Sequence, residues 1–317
     1  MDEHQHEAIA PTGSTLRPFF SVLFSILTIL LGFAVVGQLA GVLIGSIFYD
    51  GTFAQWSAEF SDGIKLREEL RIPLLWVQAV STTAGLAAAP WFYLKFVEKS
   101  EPSAMFRKFT LPVAGLSMAA VVIGMVPNSV LIEWNSNLSF PGQWDNIIRE
   151  REEAAMALTR FMTTFRHPGE FLIGILVIAV LPAFGEEIAF RGMLQPAMAR
   201  FTGNIHIGIW VTAILFSAFH FQFLGFVPRV MLGVLFGYLA AWSGNLWLPI
   251  LAHFANNAFS ALFIYLHQLG ISGLDPESAE AAPWIWVLPA VLALVFILMT
   301  IRKRSMTPSG KPDGAVQ

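Results

Sequence analysis

The chain contains no cysteine. That excludes a disulfide framework, a thiolate nucleophile and a thiolate metal site together. Charge is scarce as well: 13% of the 317 residues are charged, against about 25% in ordinary soluble domains. A formal net charge of −3, with no long Lys/Arg run away from the C-terminus, excludes nucleic acid as a partner. What is plentiful is apolar sequence: 55% of residues are hydrophobic and the mean hydropathy is +0.62. The composition therefore predicts an integral membrane protein, an all-α polytopic transmembrane helix bundle.

A membrane-crossing helix needs about 20 apolar residues to cover a hydrocarbon core of roughly 30 Å. Phe19 to Phe48, Ile72 to Leu94 and Phe109 to Ile132 satisfy that length. A fourth span starts at Phe171 and, continued past Arg191 toward Arg200, places Glu186 near its middle. A fifth runs from Ile205 or Gly208 to Gly225. Val230 to Leu274 carries no charge apart from His253 and His267 and divides at Gly244, Asn245 and Pro249. Ala281 to Ile301 completes a count of eight spans.

Cytoplasmic loops near span ends are enriched in Lys and Arg. Arg302, Lys303 and Arg304 follow the last span, while Asp275, Glu277 and Glu280 precede it, so both termini are expected on the cytoplasmic side of the cell membrane. Lys95, Lys99, Arg107 and Lys108 agree with that orientation; Lys65, Arg67 and Arg71 oppose it. The first apolar run is too long for a cleaved signal peptide. The organisation read from these runs is a polar tail (1–18), N-terminal spans with a linker (19–170), a core (171–266), a loop with the last span (267–301) and a basic tail (302–317). His4 and His6 are read as part of the solvated tail, not as metal ligands.

The linker between the third and fourth spans is long and polar. Within it Ile148, Ala155, Leu158, Met162 and Phe165 recur at helical spacing, with Arg149, Glu150, Arg151, Glu152, Glu153 and Arg160 on other faces. An amphipathic helix at the membrane surface is expected there. Small residues repeat at Gly37, Gly41 and Gly45 and again at Gly233 and Gly237. Such spacing lets helix backbones approach closely, either inside a bundle or across a dimer, and leaves the oligomeric state open.

Ionisable groups inside this apolar sequence carry the chemistry. A charge at a helix centre costs about 2.5–3.5 kcal/mol on insertion scales, so Glu186, Glu187 and Arg191 need a partner or a cavity. Glu187 and Arg191 share one helical face and form a pair, whereas Glu186 lies about 100° around the helix and has no partner in its own segment. His220 follows Phe216 by one helical turn, and His253 precedes Asn257 by one turn. Polar groups in a membrane bundle must find partners inside protein, so three such clusters imply one buried wet site. A buried polar network without catalysis is the alternative reading of the same residues.

Glu186, Glu187 and Arg191 as EExxxR, Phe216 and His220 as FxxxH, and His253 and Asn257 as HxxxN occur in order in consecutive hydrophobic segments. Together they resemble the three motifs of the CPBP intramembrane proteases, the CAAX-processing and bacteriocin-processing family. The resemblance covers about residues 171–266 and departs at no motif position. It implies a hydrolase, an intramembrane endopeptidase acting on a membrane protein or lipid-linked peptide substrate in the bilayer. Glu186 and His220 would activate water, while His253 and Asn257 would stabilise the oxyanion; Glu187, Arg191 and Phe216 would support them. Each role is physically sensible, because preorganised donors are worth most in a site closed to solvent.

A zinc mechanism would use Glu186, His220 and His253 as ligands, with water in the open position. HExxH is absent, and no carboxylate beyond Glu187 is available to orient either histidine, so the metal-free reading is preferred. Two rivals differ in class. Ser243 before Gly244 is similar to the serine–glycine element of rhomboid-type proteases, but it stands at a predicted helix break and reads as a turn residue. A non-catalytic scaffold or a transporter would use the same polar cavity; no internal repeat of the transporter kind is present.

Overall fold

The computed structural model describes residues 16–61, 65–273, 275–276 and 278–306. The tail with His4 and His6, the loop residue Glu277 and the basic tail beyond residue 306 lie outside the described residues. No strand occurs among the described residues. Long apolar runs satisfy their backbone only as helices in lipid, and the chain folds accordingly. The helices are α1 (Pro18–Phe48), α2 (Phe53–Ser61), α3 (Glu68–Val97), α4 (Leu111–Ser136), α5 (Gln143–Met162), α6 (Pro168–Thr202), α7 (Ile205–Ala218), α8 (Phe226–Ser243), α9 (Trp247–Gln268) and α10 (Trp284–Met306). Seven of them are long and apolar enough to cross a membrane, and α7 is apolar but shorter. The chain is a multi-pass membrane protein.

The fifth expected span is α7, which stops well short of Gly225. Phe221 adopts a positive φ of 54°, a conformation no right-handed helix continues through, and residues 219–225 form a tight connection to α8. In contrast, α6 runs 35 residues to Thr202 and keeps Glu186 near its middle. It ends at Gly203, and α8 ends at Gly244, both with left-handed backbone.

The glycine repeats are used inside the bundle. A Cβ on Gly41 would stand 2.7 Å from the Val77 carbonyl oxygen of α3, and one on Gly85 would stand 2.6 Å from the Gly32 carbonyl oxygen of α1. Only hydrogen fits at these approaches. Gly233 and Gly237 of α8 face Ala213 of α7 and Gln195 of α6 in the same manner.

Ion pairs tie the ends of the spans together. On one face Arg200 of α6 pairs with Glu98 just beyond α3 at 3.0 Å and donates to Ser21 Oγ of α1 at 2.8 Å. On the opposite face Arg71 of α3 pairs with Glu170 of α6 at 2.6 Å. That face also carries α5, whose orientation corrects the sequence reading. Ile148 is buried as expected, but Leu158 is exposed and Phe165 lies beyond the helix end. Glu152, placed by its charge among the solvent-facing residues, is buried instead. Its Oε1 accepts the Leu224 backbone N–H at 2.9 Å, in the connection between α7 and α8.

Candidate active site

The site is built on a break in α6. Pro182 has no N–H to offer the Ile178 carbonyl four residues back. Wider turns of the i→i+5 type, at Ile175–Val180 and Ile188–Leu194, flank the ordinary helical segment Leu181–Glu187 that carries both glutamates. Such turns are common at functional sites. Asn257 Nδ2 of α9 donates to the Ile178 carbonyl at 3.2 Å, so the carbonyl released by Pro182 is what positions the asparagine.

Glu187 and Arg191 pair as their spacing predicts, at 2.9 Å, with both side chains fully buried. Arg191 also donates through Nη2 to the Gly233 carbonyl at 3.0 Å. Its guanidinium lies 4.5 Å from the centroid of the Phe216 ring and 5.3 Å from that of Phe236. A cation out of water needs a counter-charge and an electron-rich face, and Arg191 has both. The same Glu187 oxygen accepts the His253 Nδ1–H at 2.8 Å. Glu187 therefore orients the histidine as well as holding the arginine.

His253 is buried, stacked on Phe236 at 5.0 Å, and its Nε2 lies 3.8 Å from Glu186 Oε2. That separation is too long for a direct hydrogen bond but close enough for strong electrostatic coupling. The Glu186 side chain keeps 14% exposure against 0% for Glu187, so Glu186 is the one a water or substrate can reach.

His220 sits just past the C-terminal end of α7, not within a span. Its Nδ1 donates to the Phe216 carbonyl at 2.9 Å, which directs the Nε2 lone pair away from the helix. The Phe216 ring touches both histidines edge-on, His220 at 5.0 Å and His253 at 6.1 Å between centroids, and so joins the two motifs. The connection after His220 is held from several sides. Asn135 of α4 donates to the Phe223 carbonyl at 2.8 Å and accepts the Val227 N–H at 2.7 Å. Ser217 Oγ donates to the Phe226 carbonyl at 2.7 Å, and Glu152 takes the Leu224 N–H.

The structure thus gathers Glu186, Glu187, Arg191, Phe216 and His253 directly, His220 through the Phe216 ring, and Asn257 one turn along α9. Sequence reasoning did not place Phe236, Gly233, Asn135 or Glu152 at the site. Glu152 had a signal, as a charge at position i+4 from buried Ile148; the others are ordinary apolar or polar residues of spans. Ser243 donates to the Leu239 and Asn245 carbonyls at 2.7 and 3.1 Å, the turn role assigned to it. Among the described residues no three His, Asp or Glu side chains are grouped closely enough to hold a metal ion, while His253 gives Nδ1 to Glu187 and turns Nε2 toward Glu186.

Fold and site together define a multi-pass membrane protein with a buried glutamate–histidine centre. Residues 168–259 match the family model described as Rce1-like, type II CAAX prenyl endopeptidase Rce1-like. All the motif residues, from Glu186 to Asn257, fall inside the match. The uncharacterized protein YpbD of Bacillus subtilis (strain 168) is 36% identical over 91 residues, 27% of this chain and 43% of YpbD. An uncharacterized 24.3 kDa protein of Escherichia coli is 30% identical over 98 residues, 30% of this chain and 45% of that protein. The matched segment thus spans a little under half the length of these curated relatives. No solved structure matches the chain.

Proposed function

We propose that the protein is an intramembrane endopeptidase that hydrolyses peptide bonds of membrane-associated proteins or peptides with a water activated by Glu186 and His220. The observation that carries this reading is His253 set between two glutamates of unequal access, with Glu187 fixing its Nδ1 and the reachable Glu186 beside its Nε2. Glu186 takes a proton from water as the oxygen attacks the carbonyl carbon, and His220 Nε2 orients that water. The oxyanion is met by His253 Nε2–H and by the second N–H of Asn257 Nδ2, whose first is held by Ile178. Donation from Nε2 requires a proton on both imidazole nitrogens, and the Glu187 carboxylate supplies the counter-charge. Collapse breaks the C–N bond, and the proton passes from Glu186 to the leaving amine, giving a carboxylate and an amine.

The reaction is proposed to run without a metal. A prenylated C-terminal peptide is the first substrate to test, because the matching family model is described as a CAAX prenyl endopeptidase. N-termini in membranes holding the wild-type chain are to be compared with those holding Glu186→Ala. If no cleavage product depends on Glu186, the peptidase reading fails. Undiminished activity of a purified, metal-depleted preparation is expected; activity abolished by a chelator and restored by zinc would overturn the metal-free step.

A further inference from the structure

Arg229 stands in the first turn of α8, just after the connection that carries His220. The other arginines held within the bundle each have a carboxylate: Arg71 has Glu170 at 2.6 Å, Arg191 has Glu187 at 2.9 Å and Arg200 has Glu98 at 3.0 Å. Among the described residues Arg229 has none within ion-pair distance, and the charges of Glu152 and Glu186 reach it only from farther away. Its Nη2 donates to Gln222 Oε1 at 2.9 Å and its Nη1 to the Gln222 carbonyl at 3.4 Å, both neutral acceptors. A guanidinium has five N–H donors, so most of this one's capacity is left over.

Its surroundings raise the demand for an anion. The N-terminal end of a helix carries partial positive charge, and Arg229 adds a full one there. The side chain folds back over Gly225, where a Cβ would lie 3.0 Å from Nη2, so the guanidinium is held close to the His220 connection. It is near enough to Glu186 and His220 to interact electrostatically with both. Gln222, its neutral partner, also lines a cavity of about 660 Å³ between the ends of α5 and α9, whose walls include Thr159, Thr163 and Gln268.

We propose that Arg229 receives a carboxylate of the substrate and so selects peptides with an anionic group near the bond to be cleaved. The inference rests on the peptidase reading and adds a substrate class to it. The carboxylate is either a free C-terminus or an acidic side chain. A hydrogen-bonded charged contact of this kind corresponds to about a 10- to 100-fold change in affinity.

The test uses the full-length chain with Glu186→Ala to block turnover, purified in detergent. Binding is measured for a prenylated peptide with a free C-terminal carboxylate, its carboxamide, and the carboxamide carrying an internal aspartate. The carboxylate form is expected to bind about 10- to 100-fold tighter than the plain carboxamide. R229Q should abolish that preference, and R229K should keep part of it, which guards against a merely misfolded R229Q. Tight binding of the aspartate carboxamide would assign the anion to a side chain; weak binding would assign it to the C-terminus. Equal binding of all three peptides, binding of none, or a preference unchanged in R229Q overturns the proposal. An Arg229-dependent preference in a chain that cleaves nothing would sink the peptidase reading alone, and cleavage without the preference would sink only the role of Arg229.

Discussion

Two ion pairs in this chain have the same spacing and nearly the same length, and they should behave in opposite ways. Glu187–Arg191 and Asp145–Arg149 each place a carboxylate four residues before an arginine, at 2.9 and 2.8 Å. The side chains of the first are 0% exposed, whereas those of the second are 27% and 45% exposed. At 2.9 Å and an effective dielectric constant of about 20, the buried pair attracts by about 6 kcal/mol, much of it offset by the desolvation of both charges. Removing one partner leaves the other charge buried, which costs about 3–5 kcal/mol. Glu187→Gln should therefore lower the unfolding temperature in detergent steeply. Arg191→Met should do so further, since it also forfeits the Gly233 bond and the Phe216 and Phe236 faces. The double variant should recover part of the loss, giving a large coupling in a double-mutant cycle that added salt leaves unchanged. The matching cycle at Asp145–Arg149 should show a small coupling that salt removes. Equal couplings at the two sites, or a buried coupling that salt abolishes, would refute the reasoning.

Other consequences follow from the same contacts. Glu152→Ala and Asn135→Ala should each speed hydrogen exchange in residues 222–227 while leaving α6 protected, at a cost of about 1–3 kcal/mol per orphaned group; unchanged exchange would mean these side chains do not hold the His220 connection. The Arg149 guanidinium, together with the Phe140 N–H, holds the Asp145 carboxyl below its ordinary range. Its contribution is therefore present above that range and lost as pH falls through the lowered value. The first turn of α5 should fray only in strong acid, and an Asp145→Asn chain showing the same acid transition by hydrogen exchange would contradict this. Pro182→Ala restores an N–H to the Ile178 carbonyl, so it should leave thermal stability equal or higher while lowering kcat through a freed Asn257; full activity would show that the asparagine is not placed by the proline.

The helical class and most spans were legible because apolar run length is a direct physical requirement of the bilayer. Helical phase alone was enough to separate Glu187 from Glu186. The sequence did not reveal that Glu187 serves two partners, because His253 reaches it across a tertiary contact that no local spacing encodes. The end of α7 was misplaced for a different reason: Phe221 takes a left-handed conformation usually left to glycine, so no breaker residue announces the turn. The face of α5 was misassigned because charge was taken as a sign of solvent, whereas Glu152 is buried by one backbone N–H that needs an acceptor. Both errors bear on the connection that carries His220, which follows α7 and is held by Glu152 of α5, so that tertiary contacts override local propensity there.

In the proposed reaction the placement of His253 gives the two adjacent glutamates different tasks. Glu187 fixes the imidazole through one oxygen and, being fully buried, is out of reach of the water that Glu186 can meet. Adjacent residues on one helix point about 100° apart, so neighbouring carboxylates can approach the same imidazole from different sides. Glu187 is further tied to Arg191, which fixes its geometry. Glu186, with no such anchor and the greater exposure, keeps its lone pairs available. The Arg191 pair thus stabilises α6 and, in the proposed reaction, holds Glu187 in the orienting role while Glu186 is the group that reacts.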